Sequence, residues 1–347
     1  MLGTQPVHGG QLREASARYG IATEAWFDLS TGINPHAYPV PDIPQAVWQG
    51  LPYEMGGALT AARAFYGVAD LALTPGSQWA IHHMPKVLAQ AGYSVDSVAL
   101  PRLAYAEHAY HWSRAGARLR YYDAVPQEQD LAQADVCVVI NPCNPTGALL
   151  SQSQLLALIE LAARHQCLLL VDEAFIDATP DQSVMAHAAY STGLIVLRSF
   201  GKFFGLAGIR LGAIAAPARI QQALETLLPL WSLTGPSLYV AERAYADVSW
   251  QIAMRQHLLH QTQRLRALLA PVGASQLRGC ALFQTLYFDR AADADALMEA
   301  LAQRGILVRR IENSTLVRVG LPRDDAHWQR LAEALAHDVA MTEKECV

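Results

Sequence analysis

The sequence predicts an α/β protein: a large domain built on a mostly parallel sheet, followed by a smaller α+β domain. Three observations lead there. The chain has 347 residues, too many for one small core and enough for two domains. Between residues 95 and 217 short apolar runs alternate with amphipathic segments, the pattern of a sheet covered by helices on both faces. Past Pro236 the alternation stops, and a long helical stretch precedes separate strands and helices. With 52% hydrophobic and 16% charged residues, a disordered chain is excluded.

Residues 1–40, rich in Gly and Pro, read as an N-terminal arm, residues 41–235 as the large domain and 236–347 as the small one. Pro75-Gly76 precede Ser77, which opens a helix over 78–90. The apolar runs at 95–100, 118–122, 136–140, 168–171, 194–197 and 211–215 suit buried strands. Ser151 and Gln154 have the spacing of a capping box ahead of Leu155, Leu158 and Ile159. Residues 237–269 contain neither Gly nor Pro and predict one long helix or two joined ones. Strands at 282–288, 306–311 and 315–320 and helices at 294–303 and 325–336 complete the small domain.

A net charge of −5 removes the basic field that nucleic-acid or anionic-membrane binding needs. The five cysteines (Cys137, Cys143, Cys167, Cys280 and Cys346) form no C-x-x-C pair. They predict reduced, buried thiols, with no disulfide framework, no zinc knuckle and no metal. The start of the chain lacks a basic segment and an apolar h-region, and no apolar run approaches membrane length. A soluble, cytoplasmic protein is expected.

The strongest chemical signal is the segment from Ser199 to Gly212. Lys202 sits in a Gly-rich turn after an apolar run, with Ser199 before it and Arg210 after it. A lone lysine is ordinarily a solvated surface charge. Here Phe203, Phe204 and Leu206 flank it, and partial desolvation would lower its pKa, as a lysine that condenses with an aldehyde requires. Ser199 and Arg210 offer a hydroxyl and a guanidinium fork to a phosphate.

This segment resembles the lysine motif of fold-type I, pyridoxal-phosphate-dependent aminotransferases, S-x-x-K-x-x-x-x-x-G-x-R-x-G. Two more motifs follow apolar runs in the same order as in that family. Asn141-Pro142-Cys143-Asn144-Pro145-Thr146-Gly147 is similar to its N-P-x-N-P-T-G, and Asp172-Glu173-Ala174-Phe175 to its D-E-A-[YF]. The resemblance covers about residue 28 to the C-terminal helix. It implies a large domain with a seven-stranded sheet, a homodimer, and an arm packing with the small domain and active site.

The resemblance also implies roles. Lys202 would hold the cofactor aldehyde, and Asp172 would keep the pyridine nitrogen protonated so that the ring is an electron sink. Asn144 would donate to the ring's phenolic oxygen, and Tyr105 would stack on the ring. Gly76, Ser77 and Gln78 at a helix start, with Ser199 and Arg210, would take the phosphate. Arg318, inside a strand-like run, would hold the substrate carboxylate. Each has a plainer alternative: Asp172 as a strand-end cap, Asn144 as a turn residue, Arg318 as an edge-strand charge that guards against aggregation. The wider family often has Tyr-Pro where this chain has Leu51-Pro52-Tyr53. Tyr53 is thus the candidate to reach a neighbouring subunit's phosphate.

Within the family, the arm is similar to that of the threonine-phosphate decarboxylases of cobalamin biosynthesis. His8-Gly9-Gly10-Gln11-Leu12-Arg13-Glu14-Ala15 matches their H-G-G-x-x-R-E-A, and Asp28-Leu29-Ser30-Thr31-Gly32-Ile33-Asn34-Pro35 their D-[FL]-S-x-x-I-N-P. Apolar Leu29 and Ile33 among turn residues suggest a docked loop, so that His8, Gly9 and Asn34 would line the substrate site. Phe175 replaces the tyrosine usual in histidinol-phosphate aminotransferases and cannot donate a hydrogen bond. Two arginines suit a substrate with a carboxylate and a phosphate. Adjacent Arg309 and Arg310 must point to opposite faces, and the resemblance selects Arg309.

These features imply decarboxylation of L-threonine O-3-phosphate to (R)-1-amino-2-propanol O-2-phosphate. The alternative is a histidinol-phosphate-type aminotransferase, which shares the cofactor residues and differs in the Cα bond broken. A non-catalytic ligand-sensing module, as in some transcription regulators, is the remote alternative. It would need a DNA-binding domain that forty arm residues cannot supply.

Overall fold

The computed structural model describes residues 6–52 and 56–345, with side chains as far as residue 336. By internal contacts the chain divides into two units. One comprises Ala37–Asn144 and Ala148–Arg255, the other Val7–His36, Pro145–Gly147 and the chain from Gln256 onward. The sequence places the break at residue 236, whereas packing places it after Arg255. Two helices cover this stretch, Gly235–Ala246 and Val248–Leu269, and the division falls within the second. The first packs on the helix Gly56–Tyr66 of the first unit. Gly235 lies so close to the 45–49 helix that a Cβ would stand 2.5 Å from the Val47 carbonyl oxygen.

After the two-residue strand β1 (Phe27–Asp28), the first unit is built on seven strands. They are β2 (Ala72–Thr74), β3 (Ser97–Pro101), β4 (Arg118–Tyr122), β5 (Val136–Ile140), β6 (Leu168–Asp172), β7 (Leu194–Ser199) and β8 (Gly212–Ala215). Their order is β2-β8-β7-β6-β5-β3-β4, with only β8 antiparallel to its neighbours. The apolar runs of the sequence are six of these strands. β2 has three residues, too few for a periodic signal. The central strands β5 and β6 are buried at every position, which is why they read as continuous apolar runs.

Helix starts follow local chemistry. Ser151 caps the helix Gln152–Arg164 by accepting the Gln154 amide at 3.2 Å, while Gln154 Oε1 accepts the Ser151 amide at 2.9 Å. The helix Ser77–Gln90 starts behind Gly76, whose φ of +79° suits glycine.

The second unit carries β9 (Gln276–Cys280), β10 (Phe283–Tyr287), β11 (Ile306–Leu307), β12 (Arg309–Arg310) and β13 (Leu316–Gly320). Four form an antiparallel sheet in the order β12-β13-β10-β9, while β11 pairs in parallel with β1 of the arm. The single strand expected over 306–311 is therefore broken at Val308 and shared between two sheets. Nor is the arm bare: Leu12–Tyr19 is helical. β13 is an inner strand and Arg318 is buried, which overturns the edge-charge alternative. Cys137, Cys143 and Cys167 are buried and form no disulfide. Cys280, on the edge strand β9, is half-buried instead, and Cys346 lies outside the described residues. No helix among the described residues is long and apolar enough to cross a membrane.

Candidate active site

Parallel strands end at one edge of a sheet, and ligands of open α/β sheets bind beyond those carboxyl ends. Here the register sets Ile140 beside Asp172 and Asp172 beside Leu197. The segments following β5, β6 and β7 therefore meet at one place. They border a cavity of about 190 Å³ in the first unit. Asn144, Asp172, Phe175, Ser199 and Lys202 line it from the strand ends. Gly76, Ser77, Gln78, Tyr105 and Arg210 complete it. The cofactor residues that the sequence singles out thus share one cavity.

The motifs divide their labour. Asn141 closes its own loop: its Oδ1 accepts the Leu150 amide at 2.8 Å and its Nδ2 donates to the Leu150 carbonyl at 3.1 Å. Asn144 is thereby left as the residue of that motif facing the cavity. Asp172 is 3% exposed. Its Oδ1 accepts the Ala174 amide at 3.0 Å, and its Oδ2 lies 2.9 Å from His108 Nε2. A buried carboxylate with such partners is held in one orientation.

Lys202 reaches the cavity from the short helix Phe200–Phe203. Phe203 and Phe204, which the sequence places beside it, pack in an aromatic cluster with Phe65, Phe200, Tyr245 and Trp250. The ring that faces the ammonium is Phe175, whose centroid is 5.2 Å from Nζ.

The phosphate end is shaped by glycines. A Cβ on Gly212 would stand 2.5 Å from the Ser77 amide nitrogen, and one on Gly76 3.0 Å from Arg210 Nη2. Both positions admit only glycine without displacement, which lets β8 and Arg210 close on the N-terminus of the Ser77–Gln90 helix. Arg210 adopts the left-handed conformation, φ +53°, which costs a non-glycine residue backbone strain. Free backbone N–H groups and a guanidinium then face one point, the donor set a phosphate ester requires. With a lysine amine, a buried carboxylate and an aromatic wall, these residues fit pyridoxal phosphate.

The second unit gathers the remaining candidates. Arg309 and Arg318 are directly paired across β12 and β13. Each donates to a carbonyl of the arm, Arg309 to Val7 and Arg318 to Ser30. Gly9 abuts that same residue, since a Cβ there would be 2.5 Å from the Ser30 oxygen, and the Gly10 amide donates to Ser30 Oγ at 2.7 Å. His8 and both arm motifs are thus drawn to one end of the small sheet. Arg310 points elsewhere, to Asp295 at 2.7 Å. Burial pushes the Arg309 guanidinium below its ordinary pKa, with Glu312 opposing. Asn34 is buried, its Oδ1 accepting the His36 amide at 2.9 Å. Tyr53 lies outside the described residues.

Sequence reasoning missed His108 and Glu107. Their signal is positional: His108 follows Tyr105 by three residues, so both lie on one face of the Ala106–Arg114 helix and its cap.

A sheet of this order with a lysine, an aspartate and a phosphate cradle at its strand ends defines the fold-type I class. The chain belongs to the aminotransferase class I and II family, whose model matches residues 59–335. It is 44% identical over 328 residues to a threonine-phosphate decarboxylase of Pseudomonas aeruginosa, covering 94% of this chain and 96% of that one. It is 40% identical over 342 residues to a threonine-phosphate decarboxylase of a Sinorhizobium species, covering 95% and 97%. Among solved structures it is similar to histidinol-phosphate aminotransferase from Sinorhizobium meliloti in complex with pyridoxal-5'-phosphate. There the TM-score is 0.81 at 20% identity, over 98% of this chain and 96% of that one.

Proposed function

We propose that this chain is a pyridoxal-phosphate-dependent carboxy-lyase that converts L-threonine O-3-phosphate to (R)-1-amino-2-propanol O-2-phosphate and CO₂. It would serve cobalamin biosynthesis in the cytoplasm as a homodimer. Identities of 44% and 40% to threonine-phosphate decarboxylases over nearly the whole chain support the reading. The structural observation that carries it is the direct pairing of Arg309 with Arg318. Like charges held opposite one another on adjacent strands cost stability, and a substrate with two anionic groups offsets that cost. Arg318 takes the carboxylate, and Arg309 with His8 takes the phosphate.

Pyridoxal phosphate supplies an aldehyde for the amine and a ring that accepts electron density from the bond being broken. The chain's own groups do the rest. Ser77, Ser199, Arg210 and the backbone N–H groups of the helix start hold the phosphate. Asp172, oriented by His108 and the Ala174 amide, keeps a proton on the ring nitrogen. Asn144 donates to the phenolic oxygen. The Cα–carboxylate bond breaks, CO₂ leaves, and Lys202 delivers the proton that takes its place on Cα.

Incubation with L-threonine phosphate should release CO₂ without any keto-acid acceptor. Stoichiometric keto acid and no CO₂ would assign the chain to the aminotransferases. Arg309→Ala should weaken the phosphorylated substrate about ten- to a hundredfold, since a charge-assisted bond is worth about 1.5–3 kcal/mol. L-Threonine itself should be far less affected, and His8→Ala should show the same selectivity more weakly. Steady-state KM values for both substrates check this. An equal loss for the two would make Arg309 structural.

A further inference from the structure

The wall of the cavity is held by a residue outside it. Glu107 opens the helix Ala106–Arg114 and is 4% exposed. Its Oε2 accepts Gln78 Nε2 at 2.6 Å and lies 2.9 Å from His111 Nε2, one turn further on. Gln78 Oε1 in turn accepts the Tyr105 hydroxyl at 2.9 Å.

This chain of bonds has a fixed direction. A carboxylate only accepts, so the Gln78 amide must turn its NH₂ toward Glu107. Its oxygen then faces Tyr105, whose O–H must donate. Both ends of the amide are engaged, so its orientation is fixed. The Tyr105 ring is tethered at its far end, which restrains its swing about χ1.

His111 keeps Glu107 in place from the other side. Burial pushes His111 below its ordinary pKa although Glu107 opposes this, and its ring stacks on His82 at 4.3 Å. A neutral imidazole with one N–H suits a single bond to the carboxylate.

We propose that Glu107 is a positioning residue for the ring of pyridoxal phosphate, acting through Gln78 on Tyr105. This rests on the assignment of that cofactor to the cavity. Glu107 does not line the cavity and reaches the ring through the Gln78 amide.

The test is a double-mutant cycle on purified holoenzyme, with release of pyridoxal phosphate on dilution read by absorbance and ring placement by visible circular dichroism. Glu107→Gln keeps the volume but lets both amides turn either way. Tyr105→Phe keeps the ring and removes the tether. Each should weaken cofactor retention about three- to tenfold and diminish the visible dichroism, and the double variant should be no worse than the poorer single. Should Glu107→Gln not fold, Glu107→Asp, which withdraws the carboxylate by one methylene, should give the same losses. Additive losses, or a lowered melting temperature with unchanged retention and dichroism, would overturn the proposal. Wild-type protein that binds no pyridoxal phosphate would overturn the cofactor assignment and this proposal with it.

Discussion

Lys202→Ala should lose CO₂ release from L-threonine phosphate by about four orders of magnitude or more, because both a covalent anchor and a proton carrier go with one side chain. The helix Phe200–Phe203 and the Phe175 ring place Nζ in the cavity, and the alanine variant leaves that frame intact. Overall stability should therefore change little while activity disappears. Borohydride reduction of the wild type is the companion measurement. The chain contains only three lysines, Lys86, Lys202 and Lys344, so one labelled peptide identifies the anchor. A label on a peptide with Lys86 or Lys344 would refute the assignment outright.

Asp172→Asn should cost about a thousandfold in turnover. Two opposite charges about 4 Å apart at an effective dielectric near 20 interact by about 4 kcal/mol, which corresponds to roughly 10³ in rate when the charge is needed in the transition state. Asparagine keeps the shape and its own hydrogen-bonding capacity beside His108, so folding and cofactor retention should survive. The measurement is kcat for CO₂ release, alongside the visible spectrum of the bound cofactor. A variant with near-normal kcat would reduce Asp172 to the cap of its own loop through the Ala174 amide.

The sequence by itself determined the fold class and the chemistry. Buried parallel strands are apolar throughout, so they show as runs. Their carboxyl ends carry short contiguous motifs whose residues stay together wherever the chain goes. Lys202, Asp172 and Asn144 could be read because each sits within one such segment. Tertiary structure alone decided what each of them touches. Phe175, twenty-seven residues before Lys202 in the chain, sets its ring beside the ammonium through the packing of two strand ends. His108 reaches Asp172, and Glu107 reaches Gln78, across helices whose packing no local pattern encodes. The break at Val308 sets the register that brings Arg309 opposite Arg318 and draws the arm carbonyls of Val7 and Ser30 onto them. Strand register depends on long-range pairing, and a shift of one residue would have turned Arg310 to that face instead.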